Sequence, residues 1–288
     1  GIVGSYEPGD GGGTIGNAVF SGNITAAGGG ADTYTGGIAG YMAGGTIEGA
    51  RVGGTSAGYA ELAAGGIVGG VAGYADGAID GATVAYATLT MTKTDSVAGG
   101  IAGIAQGSIA GSTVGVAAAP GFDSVRLRAA VDNAAGGADR ITAGGLVGRG
   151  EGTLSITGST ATRVDLSAAD GRSGYKLGAI AGFLGAGTTV GSADAPIVAE
   201  RLNLSSDADS SIIGGAIGVN QSAEVYAHAK HIRIALNGDE VTAGGLVGDN
   251  AGRVIGGTAE HVELVSVGAA NRIGGIAGKH SGVLMDSG

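Results

Sequence analysis

The pentapeptide Gly-Gly-(Ile/Leu)-(Ala/Val)-Gly returns six times in this chain, at residues 36–40, 65–69, 99–103, 144–148, 244–248 and 274–278. Looser copies lie at 178–182 (GAIAG) and 214–218 (GGAIG), and the chain opens on GIVG at 1–4. Self-similarity at a period of roughly 20–50 residues marks a stacked-repeat architecture, because each repeat buries its apolar face only against its neighbours. From the motif start at 36 onward the spacings run from 29 to 45 residues. Extra length is therefore absorbed in turns while the motif is kept.

Three short apolar segments recur in order within each repeat. The first is the glycine motif itself. The second is a branched residue, a spacer and a small residue, as in Ile47-Glu48-Gly49, Ile79-Asp80-Gly81, Ile156-Thr157-Gly158 and Val254-Ile255-Gly256. The third alternates strictly, as in Val125-Arg126-Leu127, Val164-Asp165-Leu166, Leu202-Asn203-Leu204, Ile232-Arg233-Ile234 and Val262-Glu263-Leu264. Alternation with period two is the mark of a strand with one buried face. Turn formers such as Asn237-Gly238-Asp239, Ala75-Asp76-Gly77 and Ala169-Asp170-Gly171 separate the segments and tolerate the left-handed backbone that sharp corners need.

These features predict an all-β, single-domain parallel solenoid over residues 1–288. It has about nine coils of 29–45 residues with three short strands each, starting near 1, 36, 65, 99, 144, 178, 214, 244 and 274. One coil offers about five inward aliphatics, on the order of 10 kcal/mol. Ordering its residues costs at least roughly 30 kcal/mol of backbone entropy. Only stacking closes that gap. The structural residues are Gly36, Gly37, Ile38, Gly65, Gly66, Ile67, Gly99, Gly100, Ile101, Gly144, Gly145, Leu146, Gly244, Gly245, Leu246, Gly274, Gly275 and Ile276. The doublets are expected at corners, where a side chain would strike a neighbouring coil or demand a positive φ. Ile38, Ile67, Ile101 and Leu146 are expected to share one interior column.

Composition agrees and excludes alternatives. Glycine supplies 65 of 288 residues, but the strict Gly-X-Y period and the proline content of collagen are missing. Charged residues make up only 14% against 43% hydrophobic ones, which argues against disorder. No cysteine is present, so neither disulfides nor thiolate metal sites can form. A net charge of −10 argues against nucleic acid and anionic membrane surfaces. No apolar run approaches the roughly 18–20 residues of a membrane span. The start inside a motif suggests a processed chain or a piece of a longer one.

The chain resembles the GLUG-motif family of bacterial extracellular proteins, named for Gly-Leu-hydrophobic-Gly. Residues 244–256, GGLVGDNAGRVIG, fit that pattern nearly throughout, as do 36–40 followed by 45–49. Two copies depart from it. Ala179 replaces the second glycine, and Ala216 displaces the aliphatic residue to Ile217, so local distortion is expected there. The resemblance implies a large secreted or surface-attached, often adhesin-like protein, sometimes beside immunoglobulin A peptidase domains. It brings no catalytic residues, and the His-Glu-x-x-His signature of zinc proteases is missing.

The search for chemistry yields little. His231 and His261 stand 30 residues apart, which stacks them on adjacent rungs as a solvent-facing pair, with a weak metal pair the alternative. Arg126, Arg128, Asp165, Arg233 and Glu263 mix signs along the third segment, as in a solvated charge ladder. Polysaccharide cleavage would need clustered carboxylates or cations in a groove. The threonines of residues 88–94 do not recur in the coils that follow, against an ice-matching face. The calcium nonapeptide is only hinted at by residues 28–32. Asn23, Asn203 and Asn220 head glycosylation-type triplets by chance. The longest coil carries extra length at 116–122 and 129–140, where recognition or a silent insertion is expected.

The reading therefore assigns no catalytic, cofactor or metal residue, with calcium left open. It expects a structural or adhesive module at a bacterial cell surface or outside the cell, acting as a spacer and contact surface. Its partner is an unidentified surface protein or glycan, or the chain itself through its terminal coils, with no nucleic acid and no membrane insertion. A filament built by end-to-end stacking is the alternative, and a carbohydrate-active β-helix enzyme the third.

Overall fold

The computed structural model describes residues 1–9, 12–26, 32–117, 124–129, 141–168 and 174–288. Among them there is no helix. The chain is a parallel β-solenoid of five sheets, here called A to E in chain order. Sheets A and B have nine strands each, and C, D and E have eight. One coil runs Ala39–Met42, Thr46–Glu48, Arg51–Val52, Ala60–Ala64 and Ile67–Gly69. Nine rungs at about 4.8 Å make a stack about 38 Å long.

All three sequence segments lie on strands, and the coil carries two more. The glycine motif is a corner rather than one strand. Tyr34–Gly36 of sheet E enters it and Ala39–Met42 of sheet A leaves it. The extra strand of sheet C is two to four residues long, as at Thr83–Val84, too short to show alternation.

Register corrects one repeat. Gly69 pairs with Gly36 on one side and Gly99 on the other, and Ile67 pairs with Tyr34 and Val97. Gly65, Gly66 and Ile67 are therefore out of step with the other motifs. Gly69, Gly70 and Val71 hold that place, so the coil starts at 69. Residues 65–73 read GGIVGGVAG, two overlapping copies, and only the second is at the corner. The interior column is Ile38, Val71, Ile101, Leu146, Ile180, Ala216, Leu246 and Ile276. Each N–H in it donates to the next residue's carbonyl at 2.8–3.0 Å. Other columns fill the core, such as Ile47, Ile79, Ile109, Ile156, Val190, Val225 and Val254 in sheet B.

Four corners turn through residues with positive φ. Gly49, Gly81, Gly111 and Gly158 do so between B and C, and Tyr86, Arg163, Arg201, His231 and His261 between C and D. The glycine-doublet corner is different. No doublet residue has a positive φ, so the crowding half of the expectation holds and the backbone half does not. A Cβ on Gly145 would stand 1.9 Å from the Ala179 carbonyl oxygen, and one on Gly144 1.9 Å from that of Val147. The cost of the side chain at Ala179 is visible. Gly100, Gly145, Gly215 and Gly245 donate their N–H to the next coil at 3.1–3.2 Å, and among the described residues Ala179 makes no such bond. Ala216 causes no distortion, because Ile217 replaces the missing volume in the next column, between Ala181 and Val247.

Candidate functional site

The glycine-doublet corner is re-entrant. Along sheet E the outward column reads Tyr34, Ile67, Val97, Thr142, Lys176, Ile212, Thr242 and Arg272. Along sheet A it reads Tyr41, Tyr74, Ile104, Arg149, Phe183, Val219, Asp249 and Lys279. On a convex surface such residues would be solvated. Here Ile67, Val97, Thr142 and Thr242 are each 6–7% exposed. The two columns meet: the Tyr34 ring lies 5.4 Å from Tyr41 and 5.7 Å from Tyr74, and Tyr41 stacks on Tyr74 at 4.9 Å. A groove thus runs along the solenoid between sheets A and E.

The last glycine of each motif lies beneath it. A Cβ on Gly103 would meet Ile67 Cγ2 at 2.5 Å, and those on Gly148 and Gly248 would meet Val97 and Ile212 at 2.6 and 2.7 Å. The glycines therefore let sheet E's outward side chains fold down over sheet A. Gly36, Gly37, Ile38, Gly99, Gly100, Ile101, Gly144, Gly145, Leu146, Gly244, Gly245, Leu246, Gly274, Gly275 and Ile276 all lie at this corner. They build the groove beneath its lining side chains, and Gly36 also lines a cleft of about 300 Å³ at the N-terminal end of the stack.

Two clefts open along the groove. The first, of about 490 Å³, is lined by Asp32, Tyr34, Ile67, Asp95, Val97, Ile104, Thr142, Arg149, Lys176 and Phe183. Lys176 Nζ lies 5.0 Å and the Arg149 guanidinium carbon 5.6 Å from the Phe183 ring centre. Arg149 also pairs with Glu151. The second, of about 400 Å³, is lined by Ser210, Ile212, Glu240, Thr242, Asp249, Ala270, Arg272 and Lys279. Lys279 Nζ donates to Asp249 Oδ2 at 2.9 Å, while the buried Oδ1 has no hydrogen-bond partner among the described residues. Burial pushes the Tyr74 phenol up from the ordinary tyrosine value, helped by the charge of Asp76. Sequence reasoning missed the groove residues. Their signal was a bulky residue directly after the motif's last glycine: Tyr41, Tyr74, Ile104, Arg149 and Phe183.

The other candidates fall elsewhere. His231 and His261 do stack on the C–D corner, rings 4.9 Å apart and 6° from parallel, with His231 Nδ1 4.0 Å from Glu200 Oε1. Among the described residues no group of three or more His, Asp or Glu is placed to hold a metal ion. On sheet D, Arg126, Asp165, Arg233 and Glu263 fall in one outward column. Arg233 pairs with Glu263 at 3.6 Å, and Asn203 donates to Asp165 at 2.8 Å. Asn220 is buried, donating to Asn250 Oδ1 at 2.9 Å, so it presents no glycosylation acceptor. Most of the two insertions, and residues 28–31 of the calcium-like stretch, lie outside the described residues. Among the described residues no helix is long and apolar enough to cross a membrane.

No protein-family model, curated protein or solved structure matches this chain.

Proposed function

We propose that the chain is a structural and adhesive repeat module of a bacterial surface or secreted protein, serving as a rigid spacer and contact surface. The observation that carries this reading is the unbroken pairing of five sheets along the stack. Every rung is tied to the next by backbone ladders, and charged pairs such as Lys230–Glu260 and Arg253–Glu224 join neighbouring rungs. Such a scaffold holds distant surface residues in fixed relation, and the groove gives it a continuous contact line. The GLUG-type motif supports the extracellular placement. Displaying the chain on a non-adherent cell should raise attachment to surfaces coated with host-type proteins or glycans. Attachment equal to that of the undisplayed cell across such coatings would sink the reading.

A second reading rests on the terminal rungs, which hold the large exposed apolar side chains found among the described residues: Ile2, Val19, Val265, Val267, Ile273, Val283 and Met285. Open sheet edges beside such residues invite strand addition, and with it end-to-end assembly. Light scattering should then rise with concentration. Discrete monomers at high concentration would exclude filament growth by this chain.

A further inference from the structure

Both clefts have the same axial order of charge. In the first, Asp32 and Asp95 stand on the sheet E rim toward the N-terminal end, and Arg149 and Lys176 converge on Phe183 toward the C-terminal end. In the second, Glu240 and Asp249 come first and Arg272 and Lys279 lie one rung further on. Asp95 and Glu240 both take positive φ, 56° and 55°, at the D–E corner. In the first cleft Ile67, Val97 and Ile104 lie between Asp32 and the rung of Arg149, which also holds the buried Thr142. In the second the acidic and basic rungs are adjacent, with Ile212 before them and the buried Thr242 on the acidic rung.

Building on the contact-module reading, we propose that the groove binds an oligosaccharide in which a carboxylated sugar follows neutral ones. Carboxylate oxygens at the first end accept hydrogen bonds from sugar hydroxyls. The aliphatic side chains cover the apolar face of the rings. The cations at the second end take the sugar carboxylate, and a guanidinium forms the stronger, charge-assisted bonds. The first cleft spans five rungs, from Tyr34 to Lys176, about 19 Å at 4.8 Å per rung. Its volume of about 490 Å³ is within the usual range of small-molecule sites.

A peptide strand fits less well. Both walls are outward faces of sheets A and E, whose backbone groups are already paired in the ladders and cannot add a strand. A polyanion carboxylated at every unit would set charge against Asp32 and Asp95. Arg149 must release Glu151, an exposed ion pair and so a weak competitor, and Lys176 must likewise exchange its present interaction for the sugar carboxylate.

Calorimetric titration of the whole chain with 3′-sialyllactose, lactose and trigalacturonate tests this. The first should bind saturably, with lactose and trigalacturonate each at least about tenfold weaker. Arg149→Gln and Lys176→Gln should each weaken 3′-sialyllactose about tenfold at an unchanged melting temperature, and Arg233→Gln on sheet D should not. If Arg149→Gln lowers the melting temperature, Lys176→Gln alone decides. No saturable binding, lactose or trigalacturonate bound as tightly, or no loss in the deciding variant would each overturn the proposal. A chain that still mediates attachment to protein-coated surfaces would then keep its contact role and lose this ligand.

Discussion

At the residue scale, Gly145 shows how one missing side chain fixes the corner. Gly145→Ala should cost the corner hydrogen bond, about 1 kcal/mol, as Ala179 shows naturally. Gly145→Val should cost a further 1–3 kcal/mol or so from overpacking, and chemical denaturation measures both. Ala270 holds φ at 55° and gains nothing from its methyl, so Ala270→Gly should stabilise by about 0.5–1 kcal/mol. The fold favours the neutral Tyr74 phenol, whose pKa is raised by burial and then by Asp76. Its contribution is complete below the ordinary value of about 10 and is lost as pH climbs through the raised one. Absorbance titration should show a late-ionising tyrosine phase, to which Tyr226 also contributes through its hydrogen bond to Glu224, and Tyr74→Phe should reduce it. Residues were legible unevenly. Isoleucines 38, 47, 79, 101 and 109 declared themselves by spacing, because inward positions repeat with the coil. Ile67 misled because two motif copies overlap at Gly69 and a pattern restricted to Ile or Leu rejected Val71.

Among the elements, the sheet A column that reads Met42, Ala75, Ala105, Gly150 and Leu184 turns polar at Asn220 and Asn250. The chain Ala223 N–H to Asn220 Oδ1, Asn220 Nδ2 to Asn250 Oδ1 and Asn250 Nδ2 to His280 Nδ1 fills it, at 2.8, 2.9 and 3.2 Å. Asn250→Ala would take away the better of the two acceptors of the buried Asn220 amide, leaving the Ala223 carbonyl at 3.3 Å, at about 1–3 kcal/mol. The double change of Asn220 and Asn250 to Leu should also destabilise by about 1–3 kcal/mol, because the buried Ala223 N–H loses Asn220 Oδ1, as thermal melts can show. The strands of sheets B and D were readable because each pairs an inward aliphatic with an outward polar residue. The groove was not, because outward residues become a wall only when a corner bends inward, which depends on how the coils close.

For the molecule as a whole, stability resides in the middle of the stack. The inward residues of the first and last rungs, such as Val3, Ile15, Leu264 and Leu284, are only partly buried. Hydrogen exchange should therefore be slowest between about residues 60 and 250 and fastest in the outermost rungs. Uniform protection from end to end would mean that the coils unfold as a single unit. One consequence concerns how such a protein changes its specificity. Each coil places a single amino acid on either side of the furrow, and neither touches the aliphatic interior. New ligands can thus be tried by substitution at two sites per repeat while the spine is left alone, and duplicating a coil would lengthen the reading frame by one step.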